Sequence, residues 1–151
     1  MKPIKELCDD VRKTAYAIHL YHGHGYLEKV YENALAHRLR KAGIDVKQQH
    51  PLHVYDEDGT LLGEYFADLF VDNRLVVELK ACRATADEHV AQILGYLKSA
   101  KMADGLLINF GSRKFEIKKY ILGQERPADT QRGSGTLLSC LLALFAFFCG
   151  N

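Results

Sequence analysis

Apolar residues recur at helical spacing in two stretches near the N-terminus of the chain. The first stretch predicts an amphipathic helix over residues 4–20, because its apolar side chains repeat every three or four positions. Gly23 and Gly25 then break the pattern. The second stretch predicts a helix over residues 26–41, which ends just before Gly43. The chain is therefore expected to begin with two helices that each bury one face.

The middle of the chain changes to patterns that are typical of β-strands. Residues 45–55 alternate loosely and predict an edge strand, because Pro51 has no N–H to donate to a central ladder. A turn centred on Asp58-Gly59 joins this strand to a second one over residues 61–71. A third, strongly apolar strand is predicted over residues 75–81.

One helix and two strands complete the predicted domain. Thr85 and Glu88 have the spacing of a capping box, so a third helix is expected to begin there and run to about residue 100. An apolar run over residues 104–110 and an alternating run over residues 114–121 predict the last two strands. The order ααβββαββ places the chain in the α/β or α+β class, with a mixed β-sheet flanked by helices.

After Leu122 the character of the chain changes abruptly. Residues 123–135 are polar and rich in glycine, which predicts a linker, and residues 136–151 form an apolar tail. The uncharged part of the tail is shorter than the roughly 18–20 residues that a helix needs to span a bilayer. A membrane role through residues 136–149 is therefore not favoured, and residues 1–122 are expected to form the functional domain.

Composition narrows the class of protein. The 151 residues carry a formal net charge of only +1, so any affinity for phosphate must come from local clusters of charge or from a bound metal. The four cysteines are widely separated, with neither a zinc-ligand spacing nor a disulfide framework, and no apolar leader segment opens the sequence. These features indicate a cytoplasmic protein.

Three charged residues interrupt the predicted second and third strands, namely Asp68, Glu78 and Lys80. Ionised groups in a buried strand are costly unless something pairs with them. Glu78 and Lys80 lie two positions apart and so share one face of a strand. Two carboxylates and an ammonium at one sheet edge predict a divalent-metal site for phosphodiester hydrolysis. A structural ion pair between Glu78 and Lys80 is the alternative interpretation.

Strand parity sets a condition for a shared metal site. Asp68 and Glu78 lie on one face of the sheet only if the turn between their strands has three residues, 72–74, or if a β-bulge compensates. We expect one of these arrangements, with both carboxylates on the face that the second helix covers with Glu28.

Three residues on the predicted helices are further candidates for the site. Glu28 lies on the partly apolar side of the second helix, although a lone helical glutamate usually faces solvent. Gln92 and Tyr96 share one stripe of the third helix, where Gln92 would either reach the carboxylates or simply border the core.

Two further groups of residues have alternative explanations. His19, His22 and His24 lack the fixed spacing of a helical zinc site, and a glycine-rich loop explains them better. A basic group near the last strand would be either a solvated face or a phosphate contact, and it consists of Arg113, Lys114, Lys118 and Lys119.

Taken together, these motifs resemble the bacterial GxxExxY family of the PD-(D/E)XK nuclease superfamily, which has a restriction-endonuclease-like fold. The resemblance covers about residues 4–121 and includes the segment 106–111. It is carried by Gly25-x-x-Glu28-x-x-Tyr31, Asp68, Glu78-x-Lys80 and Gln92-x-x-x-Tyr96. The resemblance implies that Glu28, Asp68 and Glu78 bind the metal and that Lys80 orients or activates the attacking water. It further implies that Gln92 and Tyr96 belong to a helix packed against the site.

The favoured function is a Mg²⁺- or Mn²⁺-dependent nuclease acting on DNA or RNA, with the Leu79 carbonyl as a further metal ligand and Tyr31 in a supporting role. The alternative is a non-catalytic module of the same fold that binds nucleic acid or a partner protein. Phe66 stands where relatives often have a basic residue, which favours the alternative, and the apolar tail has no counterpart in the family. A third interpretation, a membrane-tethered adaptor, rests on the tail alone. The oligomeric state is left open.

Overall fold

The computed structural model describes residues 1–123, so the predicted linker beyond that point and the apolar tail lie outside the described residues. The predicted order ααβββαββ is confirmed. The elements are α1 (Ile4–His22), α2 (Glu28–Lys41), β1 (Val46–Tyr55), β2 (Leu61–Val71), β3 (Leu75–Lys80), α3 (Asp87–Ala100), β4 (Asp104–Asn109) and β5 (Glu116–Ile121).

The five strands form one mixed sheet in the order β1-β2-β3-β4-β5. Only β3 and β4 pair in parallel, and α3 provides the connection between them. The other neighbours pair antiparallel. β1 lies at an edge of the sheet, as Pro51 predicted.

Each face of the sheet is covered by helix and has its own core. On one face, α1 and α2 pack against apolar side chains of the central strands, including Val77 and Leu79. On the other face, α3 packs against Phe70 and Val76, among others. The central strands β3 and β4 are thus buried on both sides, which explains why their sequences are almost continuously apolar.

The turn between β2 and β3 sets the register on which the predicted metal site depends. Val71 pairs with Leu75, so three residues form the turn, as a shared face for Asp68 and Glu78 requires. Asp72 and Asn73 both have left-handed φ values, 52° and 55°, which aspartate and asparagine adopt more readily than most residues.

Two local predictions about helix ends were wrong. Helix α3 begins one residue later than a Thr85 cap requires, because the Ala86 carbonyl accepts the first helical bonds and the Ala86 N–H donates to His89 Nδ1. Helix α1 extends to His22, so His19 and His22 are helical and only His24 lies in the following loop. Among residues 1–123, no helix is both long enough and apolar enough to cross a membrane.

Candidate metal centre

Strands β2 and β3 separate at the position of the two strand carboxylates. Backbone pairing ends with Leu69 opposite Val77, and continuing the register places Asp68 across from Glu78. In place of a backbone partner, the Leu79 N–H donates to Asp68 Oδ2 at 2.7 Å. Burial raises the pKa of Asp68, whereas this hydrogen bond lowers it. The widening of the sheet therefore creates a buried position for two acidic side chains.

Among the ionisable groups of the site, Glu78 has the most strongly shifted pKa. Its side chain is almost completely buried, and burial together with the charge of Asp68 raises its pKa to about 7. Oε1 accepts a hydrogen bond from Lys80 Nζ at 2.9 Å, but Oε2 is buried and has no hydrogen-bond partner within the described residues. A buried acceptor without a partner is unfavourable by about 1–3 kcal/mol. Oε2 is thus an oxygen for which a cation would be a suitable partner.

Lys80 lies beside both carboxylates and remains a cation. Burial opposes its charge, but the bond to Glu78 and the charges of Glu78, Glu28 and Asp68 outweigh that effect and raise the pKa of Lys80. The ion pair between Lys80 and Glu78, which the sequence offered as the alternative to a metal site, is therefore present. This ion pair leaves Glu78 Oε2 without a partner within the described residues. It is therefore consistent with a metal site as well as with a purely structural role.

For Glu78, the expectation that both strand carboxylates lie on the face covered by α2 was wrong. Val77 and Leu79 face α2, whereas Val76 faces α3, and strand alternation places Glu78 and Lys80 with Val76. Glu28, the first residue of α2, approaches from the end of β3 instead: burial raises its pKa, while Lys80 and the Ala81 N–H lower it. Glu28 is therefore close to the site without lying over the strand pair.

Gln49, which the sequence did not mark as a site residue, connects α2 to Asp68. Gln49 Nε2 donates both to Glu32 Oε2 at 2.9 Å and to Asp68 Oδ1 at 3.2 Å. Glu32 is buried and also accepts a hydrogen bond from Gln48 Nε2 at 2.9 Å. The side chains of Gln48 and Gln49 thus reach the same glutamate, although neighbours on a regular strand point to opposite faces.

The backbone at Gln49 accounts for this arrangement. Its φ is 49°, and the regular pairing of β1 with β2 is interrupted at this residue, directly opposite Asp68. Val46 packs in the α1/α2 core while Leu52 packs in the α3 core, so β1 changes face in between. A left-handed φ in a non-glycine residue is uncommon and is often found at functional sites.

Tyr31 supports the loop that precedes Glu28. Its hydroxyl donates to the Gly23 carbonyl at 2.8 Å and accepts from the Tyr26 N–H at 3.2 Å, and its ring stacks on Phe110. The loop from α1 to α2 is therefore tied to the beginning of α2, where Glu28 lies.

The end of β4 fixes the chain that leaves β3. The Phe110 N–H donates to the Lys80 carbonyl at 2.8 Å, and Asn109 Oδ1 accepts from the N–H groups of Cys82 and Gly111. A Cβ at Gly111 would lie 2.2 Å from the Cys82 nitrogen, so only glycine fits this close approach without a shift.

On α3, the predicted pair of Gln92 and Tyr96 forms, but Gln92 does not hydrogen-bond a carboxylate. Its Nε2 donates to the Tyr96 hydroxyl at 2.7 Å. Burial raises the pKa of Tyr96, as do the charges of Glu78 and Asp68, which places this phenol near the two acids.

The remaining sequence candidates are distributed around the molecule. His19 is buried, and its Nε2 lies 2.9 Å from the Ser112 carbonyl. Lys119 forms an ion pair with Asp104 at 2.8 Å, whereas Arg113 and Lys114 line a surface depression beside α1. The basic group near β5 is therefore divided between a structural pair and a separate surface.

The residues at the end of β3 suit a divalent cation, although they are not preassembled around one. Among residues 1–123, no three side chains of His, Cys, Asp or Glu are gathered tightly enough to enclose a metal by themselves. Mg²⁺ needs only one or two carboxylates and keeps several waters, and the unpaired Glu78 Oε2 is an oxygen of the kind it prefers. The Leu79 carbonyl stays a predicted ligand.

The fold is a five-stranded mixed sheet flanked by helices, as in restriction endonucleases. It is similar to the crystal structure of SSO0001, with a TM-score of 0.53 and 14% sequence identity over 64% of this chain and 50% of that chain. At this identity the similarity shows the fold alone, and the chain spans about half the length of SSO0001. No curated protein matches the sequence.

The sequence itself defines the family. A family model described as the PD-(D/E)XK nuclease superfamily matches residues 5–120, which include every candidate site residue named above. The chain therefore belongs to the PD-(D/E)XK nuclease superfamily.

Proposed function

We propose that this chain is a divalent-metal-dependent phosphodiesterase of the GxxExxY family that hydrolyses DNA or RNA. The observation that carries the proposal is the buried, unpaired Oε2 of Glu78, which lies across the separated strands from Asp68 and beside Lys80. Superfamily membership supports a nuclease-type function for this arrangement. The proposal takes residues 1–122 as the catalytic unit of a cytoplasmic bacterial protein.

The proposed metal ligands are Glu28, Asp68, Glu78 and the Leu79 carbonyl. When bound, Mg²⁺ or Mn²⁺ would supply positive charge for the scissile phosphate and for a water nucleophile. The chain's own contribution is to hold Asp68 by the Leu79 N–H and by Gln49, so that the carboxylate position is fixed before any ligand arrives. This preorganisation avoids reordering of side chains during the reaction.

Lys80 is the proposed positioning group for the attacking water. Its pKa is raised, so it is an ammonium with three N–H donors and cannot itself accept a proton. One donor is used by Glu78, and the others are available for water or for a phosphate oxygen. As an ammonium, Lys80 is suited to orient the attacking water and to stabilise negative charge.

A non-catalytic module that binds nucleic acid or a protein is the second candidate. It is favoured by the exposed Phe66 on β2, where a phosphate-binding cation would be expected, and by the ion pair that Lys80 already forms with Glu78. Both features are compatible with a fold that has kept its charges for structural reasons.

Incubation of the purified chain with single- and double-stranded DNA and RNA distinguishes the two candidates. Parallel samples would contain Mg²⁺, Mn²⁺ or EDTA. The nuclease proposal expects cleavage of at least one substrate, with complete loss in EDTA. Binding without cleavage under every condition would support the module instead.

A further inference from the structure

A surface depression of about 660 Å³ lies between the end of α1 and the loop that joins β4 to β5. Its volume falls within the roughly 300–1,000 Å³ that is typical of sites for small ligands. The α1 wall includes Tyr16 and Leu20, and the opposite wall includes Arg113, Lys114 and Phe115. We call this depression the Tyr16–Arg113 pocket.

Two chain segments connect the Tyr16–Arg113 pocket to the candidate metal centre. The Gly23 carbonyl of the pocket accepts the Tyr31 hydroxyl, and five residues later the same loop reaches Glu28. On the other side, the β4–β5 loop leaves Gly111, which is in contact with the backbone of Ala81 and Cys82. The two chain segments that line the pocket therefore also lead to the metal centre.

The charge of the pocket suits an anionic ligand. Within the described part of the chain, no acidic side chain lines it, and its basic and imidazole side chains are Arg113, Lys114, His19 and His24. Arg113 and Lys114 are exposed, and neither forms an ion pair among residues 1–123. They are thus available to a phosphate, unlike Lys119, which is paired with Asp104.

The apolar part of the pocket is aromatic. The rings of Tyr16 and Phe115 meet edge to face, with centroids 5.5 Å apart, and Tyr16 is about half exposed at 48%. Two further exposed rings, Tyr21 and Tyr26, contact His22 at the end of α1. Rings beside cations are the combination that proteins use to stack bases while neutralising the backbone.

We propose that the Tyr16–Arg113 pocket binds a nucleotide of an unpaired nucleic-acid strand, with its base against Tyr16 and Phe115 and its phosphate against Arg113 and Lys114. The strand is unpaired because the base faces of a duplex are already covered by neighbouring bases. The inference rests on the proposed function, since it assigns the pocket to the strand whose phosphodiester bond would lie at the metal centre.

Binding measured in EDTA tests this inference separately from cleavage. The probe is a fluorescein-labelled oligothymidylate of about twelve nucleotides, within the usual site size for such surfaces, and it is compared with the same sequence in a duplex. The full chain is expected to bind the single strand more tightly. Tyr16→Ala should weaken binding about tenfold, the scale of losing one stacked base, whereas Tyr16→Phe should retain it.

A second variant tests how much the positive charge of the pocket contributes to binding of the oligonucleotide. Arg113→Ala should weaken binding and reduce the dependence of log affinity on log salt by about one contact. Because Arg113 is exposed, this substitution leaves the core intact. The matched controls are Tyr55→Ala on the β1–β2 hairpin and Lys98→Ala on α3, both exposed and outside the pocket lining, and both should bind as the unmodified chain does.

The outcomes separate the inference from the proposed function. Pocket-dependent binding of the single strand without cleavage in Mg²⁺ would support the inference while contradicting the nuclease proposal. Cleavage by a chain whose Tyr16 and Arg113 variants bind as the controls do would overturn the inference alone. Absence of any binding in EDTA, or equal affinity for duplex and single strand, would also overturn it.

Discussion

Glu78 combines two features that rarely occur together, a buried carboxylate and an oxygen without a hydrogen-bond partner among residues 1–123. Burial and the nearby Asp68 raise its pKa to about 7, so its protonation changes in the range where most proteins are studied. Because metal ligands must be deprotonated, cation binding and loss of this proton are coupled.

Affinity for Mn²⁺ should therefore depend on pH. Below pH 7, Glu78 is mostly protonated, and each unit of pH should reduce the apparent affinity about tenfold, with a plateau above pH 7. Without metal, the raised pKa means that the stability contribution of Glu78 is full below about pH 4.5 and is lost as pH rises through about 7. Calorimetry in buffers of different ionisation enthalpy would count the protons released, and an affinity independent of pH between 6 and 8 would contradict this prediction.

Gln49 is the residue through which α2 and Asp68 are connected. Gln49→Ala removes the donor to Asp68 Oδ1 and should weaken Mn²⁺ binding about tenfold to a hundredfold, as loss of a group that orients a ligand does. Gln48→Ala is the matched control, because Gln48 bonds Glu32 without contacting Asp68. Equal losses in both variants, measured by calorimetry, would show that Gln49 acts through Glu32 alone.

At the scale of single residues, the sequence predicted the charged groups of the strands but not the glutamines. Asp68 and Glu78 stand out because an ionised side chain in an apolar strand needs a reason. Gln48 and Gln49 lie in a polar, loosely alternating segment where glutamine is unremarkable. Their role depends on a left-handed φ at Gln49 and on contacts with α2, which no local pattern encodes.

At the scale of elements, hydrophobic periodicity predicted every helix and strand within about two residues. Strand parity also predicted either a three-residue turn between β2 and β3 or a compensating β-bulge, and the three-residue turn is the one that forms. The start of α3 was wrong by one residue, since the Thr85–Glu88 spacing fits a capping box while the backbone begins its first helical bonds at Ala86. Neighbouring residues compete to cap a helix, and the spacing of residue types alone does not show which of them is used.

The contact between Gly111 and the chain after β3 supports the site at this scale. Gly111→Ala would bring a Cβ against the Cys82 backbone and should lower the free energy of unfolding by about 2 kcal/mol, because backbone rather than a flexible side chain must move. It should also weaken Mn²⁺ binding by displacing Ala81, whose N–H lies near Glu28.

Gly95→Ala is the control for that substitution. Gly95 lies in α3 with nothing within 4 Å of an added Cβ, so alanine should raise the free energy of unfolding by about 0.5–1 kcal/mol. Urea unfolding measures both changes. Equal effects of the two substitutions would mean that the close approach at Gly111 does not constrain the structure.

At the scale of the whole molecule, the two-sided sheet was predictable but the placement of the site on it was not. The sequence shows that β3 is buried on both faces, yet it does not reveal which helix covers which face. Both strand carboxylates were expected under α2, but Glu78 lies toward α3. Asp68 is linked to α2 through Gln49, and Glu28 approaches from the end of β3. That arrangement depends on the path of the chain between β3 and β4, which only the assembled fold determines.

The division of the chain also belongs to this scale. A chain of residues 1–122 contains every candidate ligand, and the matched family region ends at residue 120. It should therefore fold and bind Mn²⁺ with the affinity of the full chain. Calorimetry compares the two, and a folded 1–122 chain that no longer binds Mn²⁺ would show that the segment after Leu122 contributes to the site.

The catalytic role of the metal centre is tested by the rate of nucleic-acid cleavage in Mg²⁺ by the unmodified chain, by Glu78→Ala and by Lys80→Ala. Each substitution should lower the rate at least about a hundredfold, the scale of removing one catalytic electrostatic group, with the fold intact by circular dichroism. Lys98→Ala, which removes an exposed cation from α3, should cleave at the unmodified rate. Cleavage by the Glu78 and Lys80 double variant at the unmodified rate would contradict the account, because the activity would then reside elsewhere.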